Sequence, residues 1–143
     1  MALPTQFIRT HAKRRVIYLA LLVFTIAAGL ATRLYGHALP GVLANYGGDL
    51  LYASFIFFCF RFLLPELPAR FILLMAWLFC LCIELLQLWK APWLQAWRQT
   101  RIGGLILGYE FLWSDLICYA LGALLGFAVC KLMEGRTNPG HGQ

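Results

Sequence analysis

The chain has 143 residues, of which 62% are hydrophobic and only 13% charged, whereas about a quarter of the residues of a soluble globular domain carry charge. A formal charge of +6 would point to nucleic acid in a soluble protein. Here Arg9, Lys13, Arg14 and Arg15 directly precede an apolar segment, so the charge reads as a topology signal and no nucleic-acid partner is expected.

The first apolar segment, Val16 to Thr32, is free of charge and long enough to cross a hydrocarbon core with help from its flanks. A cleaved signal peptide is the rival reading, with Gly29 and Ala31 as a weak cleavage site. Three further apolar segments follow, which favours an uncleaved helix. The second segment, about Asp49 to Leu64, has "NYGGD" before it, read as a turn and N-cap, and stops against "PELPAR". The third runs from Phe71 to about Trp89. In the loop after it, "APWLQAWRQTR" opens with Pro92 and places Trp93, Leu94 and Trp97 on one side, with Gln95, Arg98, Gln99 and Arg101 on the other. This spacing predicts a short interfacial helix anchored by its aromatic residues. "RIGGLILG" is read as a loop or re-entrant turn, and the last segment runs from about Phe111 to Cys130.

The expected fold is all-α: a polytopic four-helix transmembrane bundle with a short interfacial helix between helices three and four. Residues 1–15 form a basic cytoplasmic N-terminus, 16–131 the membrane domain, and 132–143 a disordered cytoplasmic tail. With the N-terminus inside, eight Lys and Arg flank the helices on the inner side and four on the outer, which predicts both termini in the cytoplasm. Cys59, Cys80, Cys82, Cys118 and Cys130 all fall in apolar runs, without metal-ligand spacing, and are read as packing residues. His11, His37 and His141 are dispersed. No cofactor, metal or catalytic residue is expected.

Because the helices alternate in direction, scattered polar residues gather at one level. Arg33 ends helix one, Asp49 begins helix two, Glu84 and Gln87 lie near the end of helix three, and Asp115 lies near the start of helix four. Trp77, Cys80, Glu84 and Gln87 share one stripe of helix three. Asp115, Tyr119, Gly122 and Gly126 share one of helix four, and Thr25, Gly29 and Thr32 one of helix one. A carboxyl group in lipid costs several kcal/mol, so these stripes are expected to face inward. Two readings stay open. Asp49, Glu84, Glu110 and Asp115 balance Arg33, Lys90, Arg98 and Arg101, so a closed ion-pair network that fixes helix register satisfies the electrostatics. Alternatively the cluster is a shallow outer-face pocket for an anionic headgroup, in which Arg98 and Arg101 fork onto a phosphate or carboxylate. The candidate ligand-binding set is Arg33, Asp49, Glu84, Gln87, Arg98, Arg101, Asp115 and Tyr119.

"GLATR", "NYGGDLLYA", "IELLQ" and "RQTRIGGLILGYEFLWSDLICYALGALLG", in that order, resemble the small bacterial membrane proteins grouped as domain of unknown function 2809. More distantly the chain is similar to VanZ-like proteins, with Glu84, Gln87, Arg101, Asp115 and Gly122 at the corresponding positions and Tyr119 where many of those sequences carry Asn. The resemblance implies a bacterial cytoplasmic membrane and an envelope-facing role, and VanZ-like proteins are associated with tolerance of a lipoglycopeptide antibiotic. It supplies no reaction. Three function classes follow: a non-enzymatic protein that binds an anionic lipid or lipid-linked envelope precursor, a headgroup enzyme using Glu84 or Asp115, and a small proton-coupled transporter. A purely structural scaffold is the alternative to all three, and the oligomeric state is left open.

Overall fold

A computed structural model describes the backbone of residues 5–137 and the side chains of residues 13–135. In chain order the helices are α1 (Thr5–Leu34), α2 (Gly41–Leu63), α3 (Ala69–Leu88), α4 (Pro92–Arg98), α5 (Arg101–Leu107) and α6 (Trp113–Thr137), with one 3-10 turn at Gly36–Ala38. Four of them, α1, α2, α3 and α6, are long and apolar enough to cross a membrane. The protein is an all-α, multi-pass membrane protein, with short helices between its third and fourth spans.

Proline sets the borders. Pro40 and Pro68 immediately precede α2 and α3, both with extended ψ near 140°, and Pro92 is the first residue of α4. The fixed φ and missing N–H of proline suit a helix start, where the first N–H groups have no partner in the helix. Leu64, at the end of α2, precedes Pro65 and has left the helical region.

Three borders differ from the sequence expectation. α2 begins eight residues before Asp49, so Gly47, Gly48 and Asp49 lie within the helix instead of capping it. The glycines are accommodated because α1 lies against them: a Cβ at Gly47 would stand 3.4 Å from the Thr32 methyl. "RIGGLIL" is a helix, its Thr100 N-cap hydroxyl accepting from the Gly103 N–H at 3.0 Å. Finally, α6 continues to Thr137, into the stretch expected to be a disordered tail, while residues 138–143 of that tail lie outside the described residues. The side chains of the basic residue Arg9 and of His11 and His141 also lie outside them.

α2 is the central helix. It packs against α1 on one side and α3 and α6 on the other, and α3 also packs against α6. Small residues bring α2 and α6 together: a Cβ at Gly122 would overlap the Leu50 carbonyl oxygen, and the Ser54 hydroxyl donates to the Gly122 carbonyl at 2.7 Å. Close backbone approach and interhelical hydrogen bonds are what hold membrane helices together, since apolar contact with lipid is as favourable as apolar contact with protein. Phe57, Ile72, Ala76 and Ala123 fill the centre, while Val23, Phe24, Leu74 and Ile117 stand exposed. In water that exterior would be an aggregation hazard; in a bilayer it is ordinary.

Candidate functional site

The stripes converge as expected. Cys80, Glu84 and Gln87 on α3, and Asp115, Tyr119, Gly122 and Gly126 on α6, are all buried, and Trp77 is half-buried. Glu84 has no exposed surface. Its Oε2 accepts from Gln87 Nε2 at 3.1 Å and from the Tyr119 hydroxyl at 3.2 Å, and its Oε1 accepts from the Leu112 N–H at 3.0 Å. All three donors are uncharged. They come from its own helix, from the entry to α6 and from α6 itself, so one carboxyl group ties α3 to α6.

The same constellation fixes the connecting loop. Gly108 has φ +67°, a region L side chains rarely adopt, and a Cβ there would stand 2.5 Å from Gln87 Nε2. Gly108 therefore does two jobs: it ends α5, and it lets the backbone pass over the Gln87 amide. Asp115 accepts from the Ser114 hydroxyl at 3.1 Å. Asp49, half-buried, lies within electrostatic reach of Asp115, Glu84 and Arg33.

The expected ion-pair ring does not form. Among the described residues, no cation comes within 4 Å of the carboxyl oxygens of Asp49, Glu84 or Asp115; the ion pairs are Arg61 with Glu134 and Lys131 with Glu134. Glu84 is satisfied by neutral donors instead, which removes its need for a cation. Lys90, Arg101 and Glu110 are exposed.

The paired arginines also part. Arg98 is 1% exposed, and its guanidinium donates to the carbonyls of Leu86 at 2.6 Å and of Gln87 and Trp89 at 3.4 Å each. It closes the C-terminal end of α3, where helix carbonyls lack partners and a positive charge is favoured. α4 is thus rotated from its expected setting: Leu94 and Arg98, one turn apart, face inward, while Trp93 and Trp97, each 61% exposed, face out. Gln87 Oε1 and Arg98 Nε are buried without hydrogen-bond partners among the described residues. Arg101 is exposed while the Arg98 guanidinium is buried on the α3 carbonyls, so Arg98 is not free to fork onto a ligand beside it.

Arg33 makes no ion pair with the carboxyl cluster among the described residues and is exposed, with its Nε beside Gly48. It lines one end of a groove of about 260 Å³ between α1, α2 and α5, whose walls include Ile26, Leu30, Leu51, Phe55 and Leu105. The Tyr52 hydroxyl, also in this groove, donates to the Ile106 carbonyl at 3.1 Å and so holds α5 against α2.

A second polar cluster, absent from the sequence-based set, occupies the opposite end of the bundle. Arg61 is 2% exposed. It donates to Glu134 Oε1 at 2.6 Å, to the Tyr18 hydroxyl at 3.1 and 3.3 Å, and to the carbonyls of Leu67 at 2.8 Å and Pro65 at 3.3 Å. Tyr18 also lies 3.4 Å from Cys130 Sγ. The available signal was an arginine inside "FCFRFLL", one turn before Pro65, together with Cys130 and Glu134 one turn apart near the end of the last segment.

No solved structure matches the chain. A family model described as "Protein of unknown function (DUF2809)" matches residues 38–123, from the 3-10 turn to the middle of α6. That segment carries Asp49, Glu84, Gln87, Arg98, Asp115 and Tyr119, and it is more than half of the sequence: the chain belongs to the DUF2809 family.

Proposed function

We propose that this is a non-enzymatic protein of the bacterial cytoplasmic membrane, both termini cytoplasmic, that binds an anionic lipid or lipid-linked envelope component at its outer face. The observation that carries the reading is the groove between α1, α2 and α5: about 260 Å³, apolar along its walls, with exposed Arg33 at one end. Its shape and chemistry match one acyl chain beneath one anionic headgroup, the guanidinium supplying the fork that phosphate and carboxylate accept. Glu84, Gln87 and Tyr119 lie outside the groove and tie α3, the loop after α5 and α6 together. Exposed Arg101 is available as a second headgroup contact, whereas Arg98 is spent on the end of α3.

The test is lipid retention. Protein extracted in mild detergent and analysed by mass spectrometry is expected to carry anionic phospholipid. Arg33→Leu should lower that retention about fivefold, as the loss of one cation near a charged surface implies. Gly29→Leu should do so sterically, because a Cβ at Gly29 meets only Leu51, at 3.9 Å, and extends into the groove. If both variants retain as much anionic lipid as the parent, the groove is not a lipid site.

The purely structural reading of the carboxyl cluster has its own observation, the complete burial of Glu84 among three neutral donors. It is compatible with lipid binding at Arg33.

A further inference from the structure

The Arg61 end of the bundle contains a larger cavity that lipid binding at Arg33 does not use. It measures about 470 Å³, is open on one side, and is lined by residues of α1, the end of α2, the α2–α3 turn, the start of α3 and α6. Four cations line it, Arg14, Arg61, Arg70 and Lys131, against two carboxyl groups, Glu66 and Glu134. Arg61 and Gly48, which adjoins Arg33, are thirteen residues apart on α2, so the two sites are separated by about 20 Å along the helix.

The cations are not equivalent. Arg61 has every guanidinium nitrogen engaged, with Tyr18, Glu134 and the turn carbonyls, and so builds the wall instead of receiving a ligand. Lys131 Nζ is 3.2 Å from Glu134 Oε2. Arg14 and Arg70 have no carboxyl group within 4 Å among the described residues. They come from two different helices, α1 and α3. Arg70 rests over the Phe71 ring, its Cζ 5.3 Å from the ring centre, which limits the motion of a long side chain. The N-terminus of α3 opens into the same space. Ala69 and Arg70 line the cavity, the Pro68 N-cap supplies no side-chain acceptor, and the first turn holds no acidic residue. The free N–H groups of that turn and the positive end of the helix dipole add to the two arginines.

We infer that this cavity is a site for a phosphate-bearing anion, held by Arg14, Arg70 and the first turn of α3 and framed by the Arg61–Glu134 pair. The chemistry is that of a phosphate ester, carried either by a membrane phospholipid entering from the bilayer or by a soluble phosphate compound entering from the aqueous side. A basic pocket between helix ends at the membrane surface suits the first source, and an open polar cavity suits the second.

The experiment titrates the full chain in detergent with phosphatidylglycerol, read by native mass spectrometry, and separately with inorganic phosphate, read by calorimetry. Arg14→Ala combined with Arg70→Ala should weaken binding about twenty-five-fold, each cation near the surface contributing about fivefold. Neither arginine belongs to the Arg61 network, so the double variant is expected to unfold at the parent's temperature. Arg33→Leu, which lowers lipid binding in the separate α1–α2–α5 groove, should leave the phosphate titration and the Arg14- and Arg70-dependent share of phosphatidylglycerol binding unchanged. Saturable phosphatidylglycerol binding that millimolar phosphate does not displace assigns the site to lipid. Calorimetric phosphate binding with displacement of the lipid assigns it to the phosphate group itself. The inference is overturned if the parent binds neither probe, or if the double variant binds both as the parent does. It is also overturned if Arg33→Leu alone abolishes binding, which would place all anion binding in the α1–α2–α5 groove.

Discussion

Glu84 and Arg61 are buried charged-type side chains at opposite ends of the bundle, and they are satisfied in opposite ways. Glu84 meets an amide, a phenol and a backbone N–H, and no cation comes within 4 Å of it among the described residues. Arg61 meets a carboxylate at 2.6 Å, a phenol and two carbonyls of the turn beside it. The reach differs as well. Arg61, on α2, binds α1 through Tyr18, α6 through Glu134 and the turn before α3 through Pro65 and Leu67, so three spans and the turn into the fourth are tied there. Glu84 ties only α3, α6 and the loop between them. At the Glu84 end the hydroxyls of α1 turn back on their own helix, Thr25 to Leu21 and Leu22, Thr32 to Gly29. The lesson is mechanical: among the described residues, α1 is hydrogen-bonded to its neighbours at one end, while at the other its contacts are packing and the longer-range attraction of Arg33 to Asp49, and the groove lies along that second part.

The largest effect should come from Arg61→Leu. It removes the group that joins three spans and the α2–α3 turn and takes from Glu134 its closest cation among the described residues, and breaking a buried pair costs about 3 kcal/mol or more. Lys131 also meets Glu134, so the lower end of that range is expected. Reversible unfolding in mixed micelles measures it; a loss below about 1 kcal/mol would mean that the Arg61 end does not anchor α1.

Next in size is Glu84→Leu, which strands three donors. Interhelical hydrogen bonds in membranes average about 0.6 kcal/mol, giving about 2 kcal/mol for the set. Glu84→Gln sharpens the contrast between the two ends. A rotated Gln87 amide would turn its unpartnered Oε1 toward the new N–H donor, while the remaining carbonyl oxygen still accepts from Leu112. The variant is therefore expected to unfold within about 0.6 kcal/mol of the parent, one such bond or less. A loss equal to that of Glu84→Leu would show that Glu84 needs its charge.

Much of this was written in the sequence and some was not, for identifiable reasons. The 3-and-4 spacing of Cys80, Glu84 and Gln87, and of Asp115, Tyr119 and Gly122, gave both buried faces, because lipid penalises polar side chains on any other face. Proline gave the borders at Pro68 and Pro92. "NYGGD" misled because Gly-Gly-Asp is turn chemistry in water, whereas in a membrane helix glycine marks the approach of a neighbour, here Thr32. The sequence spacing puts Arg98 on the polar side of an interfacial α4, free to meet a headgroup, with the tryptophans on the anchoring side. The inner face of α4 is set instead by the open carbonyls of α3, which need a donor more than the interior needs a tryptophan. Arg61 was counted only toward topology: the partner that explains it, Glu134, is 73 residues away, and single-sequence spacing carries no information about pairs so distant.

The smallest effect separates the two ends at their one shared group, a tyrosine hydroxyl. Tyr119→Phe removes one donor from Glu84 and leaves Gln87 and Leu112 in place, so about 0.6 kcal/mol is expected. Tyr18→Phe removes the oxygen that accepts from two nitrogens of Arg61, and hydrogen bonds to an ionised group are roughly twice as strong, so about 1.2 kcal/mol is expected there. Each is measured as a shift in unfolding free energy against the parent, then repeated in Glu84→Gln for Tyr119 and in Arg61→Leu for Tyr18. The Tyr18 effect should largely vanish once Arg61 is gone, whereas Tyr119 should keep most of its effect beside glutamine, whose amide N–H, standing in for Oε2, donates to the phenol oxygen. Equal effects from the two tyrosines, or a Tyr18 effect that persists without Arg61, would mean that the two ends are held by packing and that their different polar chemistry contributes little to the fold.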